Sequence, residues 1–358
     1  MASYKDRLTR DLDAWIGAGL VGADKRAAIL AAVPDPRRLD AATALAWIGG
    51  ALLGIAAISF VAANWDGIAR LARFALLLTF FALAAGAGAW AAHKQRPIFS
   101  DIALTLAALI FAAAIGLTGQ IFDIAGEAQA ALYGAGLAGM ALALAGRSAG
   151  AAIATLIFIG LGDFQDFEPF DSLRIAAPWL VVFAPLSVFL ALRWRSAPLA
   201  HAAAIGMLVA LIWFSLRFEN EAVLCLLFAV TLAGAGAAAR WLWRRDNAPA
   251  SVFYGWSAWG ALMFFAIAGF VDSWQGGANW GIAHRLAWLA ASGGAIALGR
   301  YDRHMMVTTV GVLSFIGAVA ALLTDLGLDL MTAAAVFFVC ALAAMIGGLM
   351  LRRKAKPT

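Results

Sequence analysis

The sequence predicts an all-α, polytopic membrane helix bundle of about twelve transmembrane helices, preceded by a short N-terminal cytoplasmic helix pair. Three observations predict it. Of the 358 residues, 64% are hydrophobic. Only 13% are charged, about half the share of an ordinary soluble domain. The charges also sort by side once the apolar runs are laid out as spans. This composition excludes a soluble globular enzyme.

The head comes first. Residues 3–33 read as two short helices around Gly17-Ala18-Gly19, with Pro34 and Pro36 closing the second. Leu8, Leu12, Trp15 and Ile16 share one helical stripe, and Val21, Ala28, Ile29 and Leu30 offer it a partner surface. Seven basic residues stand against six acidic ones, which argues against a nucleic-acid patch. Thirty residues bury too little to be stable alone. The head is therefore expected to dock on the bundle, on lipid, or on a cytoplasmic protein partner of residues 1–40. No cleavable signal peptide is read at the start, and the first apolar run is expected to stay as an anchor.

The spans follow at about 43–63, 71–92, 102–119, 128–145, 149–161, 175–192, 199–216, 222–239, 251–271, 282–299, 305–323 and 330–351. A hydrocarbon core about 30 Å thick needs roughly 20 helical residues, and the fifth run falls short of that. The expected inner loops hold Lys94, Arg96, Arg147, Arg193, Arg195, Arg240, Arg244, Arg245, Arg300 and Arg303. The outer connections hold Arg70, Arg73, Arg174, Arg217 and Arg285. Both tails are rich in Lys and Arg, and short-loop Lys/Arg bias orients a chain. Both termini are thus expected in the cytoplasm, which requires an even number of spans.

Tryptophan and glycine fit the same plan. Trp65, Trp274 and Trp280 fall at outer span ends, and Trp90, Trp194, Trp241 and Trp243 at inner ones, as an interfacial belt requires. Gly50-x-x-x-Gly54, Gly134-Ala-Gly136, Gly234-Ala-Gly236 and Gly347-Gly348 read as close-packing positions. Cys225 and Cys340 lie inside apolar runs and read as small hydrophobes, with no disulfide framework or cysteine metal site.

The chain also repeats itself. Ala63-Asn64-Trp65-Asp66-Gly67-Ile68-Ala69 before Arg70-Leu71 parallels Ala278-Asn279-Trp280-Gly281-Ile282-Ala283 before Arg285-Leu286. Each leads into a span, a basic inner loop, a span and an acidic outer loop. This suggests four-helix units and a division into a cytoplasmic helix pair (1–42) and membrane units at 43–148, 149–239 and 240–358.

Candidate chemistry is sparse. Gln120, Asp123 and Glu127 stand at i, i+3 and i+7, so one continuous helix would gather them on a single face as an ion or proton site. An ordinary outer loop broken by Gly119 and Gly126 is the other reading. Asn64, Asp66, Arg70, Asn279 and Arg285 form a candidate outer-face site, in which Arg70 and Arg285 meet an anion or a loop carboxylate; helix-entry chemistry is the plainer account. Asp163, Asp166, Glu168 and Asp171, interleaved with Phe164, Phe167 and Phe170, read as an acidic outer loop. His93, His201, His284 and His304 lie near span ends without metal-ligand spacing. No catalytic residue, metal ligand or cofactor motif is found.

Taken together, the helix pair with Trp15 and Gly19-Leu20, Asn64-Trp65 after the first span, and Gly119-Gln120-x-Phe122 after the third resemble a bacterial family of membrane proteins, domain of unknown function 2157. The resemblance covers about residues 4–148. Phe122 stands where Tyr is commoner, and Gly126-Glu127 where Gly-Asp is expected. The resemblance implies a multi-pass protein of the bacterial inner membrane and brings no activity, substrate or cofactor. The leading function on the sequence is a transporter-like or permease-like bundle for a small solute or ion; the alternatives are a non-transporting scaffold, sensor or assembly factor acting through its N-terminal helices, and an intramembrane enzyme. The last lacks any paired acid and base, so no enzymatic activity is expected.

Overall fold

Five tight corners organise the molecule. At each, a helix ends on a residue in the left-handed conformation and the next helix begins almost at once. Those residues are Gln95, Arg147, Arg195, Asp246 and Arg303, all with φ between 53° and 68°. In every case the following N–H reaches back five residues to close the corner: Arg96 to Ala91 O, Ser148 to Ala143 O, Ser196 to Ala191 O, Asn247 to Leu242 O, and His304 to Gly299 O. This is a Schellman C-cap, built here without glycine. The same following residue then starts the next helix. Ser148 and Ser196 accept the N–H groups of Ala151 and Leu199 on their hydroxyls, and His304 accepts that of Val307 on Nδ1. Arg96 has no such cap, but Pro97 follows at the first helical position, where its missing N–H costs nothing.

The computed structural model describes residues 4–32, 67–122, 126–165, 178–215, 221–274 and 281–327, with isolated helical positions at 45, 48–50, 52, 56 and 59. Among the described residues there are helices and turns but no strand. The head contains α1 (Tyr4–Gly17) and α2 (Arg26–Ala32). Then come α3 (Arg70–His93), α4 (Pro97–Ile121), α5 (Ala128–Gly146), α6 (Ala149–Gln165), α7 (Leu180–Trp194) and α8 (Ala197–Ser215). The last four are α9 (Glu221–Arg244), α10 (Ala248–Trp274), α11 (Gly281–Tyr301) and α12 (Met305–Asp325). Each expected span from the second to the eleventh thus contains one helix. The twelfth, like most of the first, lies outside the described residues.

Seven of these helices are long and apolar enough to cross a membrane: α3, α4, α5, α8, α9, α10 and α12. The other three are shorter or more polar. The expected fifth span, α6, extends to 17 residues, about 25 Å of helix, and α7 has 15, about 22 Å. α11 is 21 residues long and carries His284 and Arg285.

The corners pair the helices into hairpins: α3 with α4, α5 with α6, α7 with α8, α9 with α10, and α11 with α12. The second helices then form a row, α4 against α6, α6 against α8, α8 against α10, and α10 against α12. The first helices sit outside that row and scarcely touch one another. The result is a stack in which each hairpin packs on its neighbours, the arrangement of a helical solenoid. Alanines make the row possible: Ala108, Ala151, Ala152, Ala200 and Ala203 are fully buried in the largest apolar cluster. Small side chains let helix backbones approach in lipid, where no hydrophobic drive exists between helices. The expected unit limits at 148/149 and 239/240 fall at the α5–α6 corner and within α9, in hairpins whose two helices pack closely.

Two of the glycine expectations are met by close neighbours. A Cβ on Gly136 would lie 2.6 Å from Ile159 Cδ1, and one on Gly50 would lie 2.6 Å from Ile102 Cγ2. Gly234, by contrast, faces open space. Trp90 and Trp241 are exposed as belt residues should be, and Cys225 is buried. Cys340 and Gly347-Gly348 lie outside the described residues.

Candidate functional site

All five corners lie on one face, which collects Lys94, Arg96, Arg147, Arg195, Arg245 and Arg303 beside the helix ends. We call it the basic face. Polar groups join successive hairpins there. Asp101 on α4 accepts from Ser148 Oγ at 2.6 Å and from Gly150 N at 3.0 Å, so it caps the start of α6. Asn247 Nδ2 donates to Leu192 O at 3.5 Å. His304 sits between Trp243 and Tyr254 with its Nε2 3.0 Å from Ser251 O.

The largest of these junctions centres on Asp302, in the α11–α12 corner. Its side chain is 1% exposed. Arg240 binds it through Nε and through Nη2, the latter at 2.8 Å; Arg244 Nη2 donates at 2.8 Å and the Tyr254 hydroxyl at 3.0 Å. Arg240 and Arg244 stand one turn apart on α9, so one helix stripe aims both at the carboxylate. The hydrogen bond from Arg240, then those from Arg244 and Tyr254, hold the Asp302 carboxyl down to about 2, against burial that would raise it. Tyr301 lies beneath both guanidiniums, 5.9 Å from Arg240 and 5.7 Å from Arg244.

Two clefts open beside this junction, one on each flank of α9. The first, about 440 Å³, lies between α9 and α11 and is floored by α10; Arg240 and Tyr254 close one end. The second, about 400 Å³, lies between α7 and α9, and its lining contains no charged residue. Both are otherwise walled mostly by apolar side chains, with Thr231 and Ser257 as polar members of the second. Among the described residues, no three His, Cys, Asp or Glu gather as metal ligands would.

The far face holds two further clusters. Asp163 is not part of a solvated acidic loop, as the sequence suggested. It ends α6, is buried, and accepts from Tyr133 OH at 2.8 Å, Trp179 N at 2.9 Å and Leu180 N at 2.9 Å. One carboxylate thereby caps α7 and joins it to α5. Asp166, Glu168 and Asp171 lie outside the described residues. In the other cluster, Arg285 is 1% exposed, donates from Nε to Asp325 Oδ2 at 2.9 Å and stacks 4.3 Å over Phe270.

The remaining sequence candidates separate. α4 ends at Ile121 and α5 starts at Ala128, so Gln120 and Glu127 belong to different elements and share no helix face. Gln120 is in the last turn of α4, and Glu127 is exposed before α5 without capping it. Arg70 is the exposed first residue of α3. Asp123, Asn64, Asp66 and Asn279 lie outside the described residues. From the sequence, Arg240 and Arg244 are placed by topology alone and Asp302 is not singled out. Their pairing spans 62 and 58 residues, and no local spacing reveals it.

No curated protein and no solved structure matches the chain. The Asp302 junction and both clefts lie beyond the part of the chain that matches a known family. From the head through the start of α6, residues 13–152 match the family described as predicted membrane protein, DUF2157.

Proposed function

We propose that this membrane protein is a non-transporting scaffold of the bacterial inner membrane, with both termini in the cytoplasm, acting through residues 1–40 on a cytoplasmic protein. One observation carries the reading. Asp101, Asp163, Asp302 and His304 are each occupied in capping a helix or joining two helices, while the two clefts beside α9 are walled mostly by apolar side chains, with Arg240 and Tyr254 at one end of the first. A carrier needs polar groups near the bilayer midplane. A solenoid of hairpins needs polar groups at its junctions, and that is where these lie.

The head supplies the protein contact. Arg26 Nε binds Asp13 Oδ1 at 2.8 Å, which ties α2 to α1 and, through that hydrogen bond, lowers the Asp13 pKa. Trp15 and Leu20 stay exposed. The near balance of charge favours a protein over a nucleic acid, and the reading includes no catalysis. Orientation follows the positive-inside bias, which sets the basic face toward the cytoplasm.

Proteoliposomes and a truncation test this together. Full-length protein should raise ion and small-solute flux no further than empty vesicles do. Deletion of residues 1–38 should abolish recovery of a cytoplasmic protein partner while membrane insertion persists. A flux carried by the wild type and abolished by Asp123→Asn would replace the scaffold with the carrier reading.

A further inference from the structure

We infer that the cleft between α9 and α11 is a binding site for one anionic phospholipid. Its acyl chain lies along the apolar groove, and its phosphate meets Arg244 and Arg240 on the basic face. The inference is independent of the scaffold reading, since it concerns neither the head nor transport.

Shape supplies the first argument. α9 and α11 do not pack on each other. The walls facing the gap are small, with Ala233 and Ala237 on α9 and Ala291 and Ala295 on α11, over a floor formed by α10. Small residues elsewhere in this protein bring helices together; here they hold a groove open toward the surrounding lipid. Val230 on its rim is 71% exposed. In a bilayer such an apolar slot is filled by hydrocarbon.

Charge selects which lipid. The groove runs from its apolar middle to Arg240, with Arg244 one turn beyond. Arg240, Arg244 and Asp302 together carry one net positive charge, and a phosphodiester carries one negative charge. Arg244 gives a single N–H to Asp302 and its side chain is 50% exposed, so its other donors face the lipid headgroup level. Arginine's planar fork suits phosphate oxygens. Asp302 holds both guanidiniums in place by direct hydrogen bonds, and Tyr301 supports them from below. Arg245, Arg300 and Arg303 add positive charge in the same two corners, beside Asp246. Basic pockets between membrane helices recognise anionic headgroups in this way.

The neighbouring cleft is the internal control. It has nearly the same volume and again mostly apolar walls on the opposite flank of α9, but no charged residue in its lining. It should accept a chain without preference for a headgroup.

Native mass spectrometry of full-length protein, purified in mild detergent and supplied with phosphatidylglycerol or phosphatidylcholine, tests the site. The wild type should retain one phosphatidylglycerol at least 10-fold more strongly than phosphatidylcholine, and inorganic phosphate should not compete at millimolar concentration. Arg244→Gln should remove the preference while apolar-chain retention persists. Ala233→Phe, which fills the groove from an exposed position, should lower phosphatidylglycerol retention about 10-fold, and Ala235→Phe in the control cleft should not. Equal retention of the two lipids by the wild type, or undiminished phosphatidylglycerol on Ala233→Phe, overturns the inference. So does displacement by phosphate alone, which would reduce the site to a headgroup pocket.

Discussion

α9 and α10 form one hairpin and are both apolar, but they occupy opposite situations. In its most apolar stretch α10 is 50% buried, touching α7, α8, α9, α11 and α12. α9 is 28% buried, leans on α10, and borders a cleft on each side. Over these central stretches the exposed helix is the more apolar of the two, with Glu221, Arg240 and Arg244 kept to the ends of α9. A water-soluble protein sorts the other way, because there burial is driven by expulsion from water. In lipid the outside is hydrocarbon, and the interior is where Tyr254 finds Asp302. In this hairpin the more apolar stretch is the lipid-facing one, and packing is recognised by small residues and shape.

The largest expected effect separates the two helices directly. Phe264 on α10 is fully buried and meets Phe228 edge-on at 5.3 Å. Phe264→Ala should cost about 3 kcal/mol through the cavity it leaves. Val230→Ala on the exposed side of α9 should change stability by less than about 0.5 kcal/mol. Unfolding in graded dodecyl sulfate measures both, and equal losses would remove the distinction between the rows.

A smaller effect concerns the junction that ties α9 to the last hairpin. Asp302→Asn should cost about 2 kcal/mol, less than breaking a fully buried ion pair because the arginines are partly exposed. The depressed carboxyl also sets a pH signature. Its contribution is complete above the unfolded value of about 4 and is lost as pH falls toward about 2. Acid-induced loss of stability in that window should therefore weaken in Asp302→Asn; an unchanged acid slope would mean the carboxylate contributes nothing.

Glycines sharpen the comparison at the low end. A Cβ on Gly299 would lie 2.6 Å from the backbone N of Thr308, so α11 and α12 would have to separate. Gly299→Ala should cost about 1–2 kcal/mol. Gly234 on α9 faces nothing, and Gly234→Ala should gain about 0.5–1 kcal/mol by restricting the unfolded chain. The two variants should move the dodecyl sulfate midpoint in opposite directions.

Much of this architecture was legible. Ten helices sit where apolar runs predicted them, because run length and flanking charge are local properties. The repeat was harder. Similar letters around Asn64 and Asn279 suggested four-helix units, whereas the recurring geometry is a two-helix hairpin. Its corner residues, Gln95, Arg147, Arg195, Asp246 and Arg303, share a backbone conformation and not a side chain. Only Ser148, Ser196 and Asn247, all good cap formers, hinted at the restart of a helix. The Asp302 junction was hidden for a different reason. Positive-inside bias already accounted for Arg240 and Arg244, so nothing was left over to suggest a partner some 60 residues away.

The identical corners carry a consequence for how such a chain changes in length. Each hairpin enters and leaves on the far face and turns on the basic face, and it contacts chiefly the hairpins before and after it. Inserting or excising one leaves every other crossing in its original direction and returns the two ends to the side they occupied before. It also presents the same row of second helices to the next neighbour. Size in this architecture is therefore adjustable in steps of about 50 residues without redesign of either terminus.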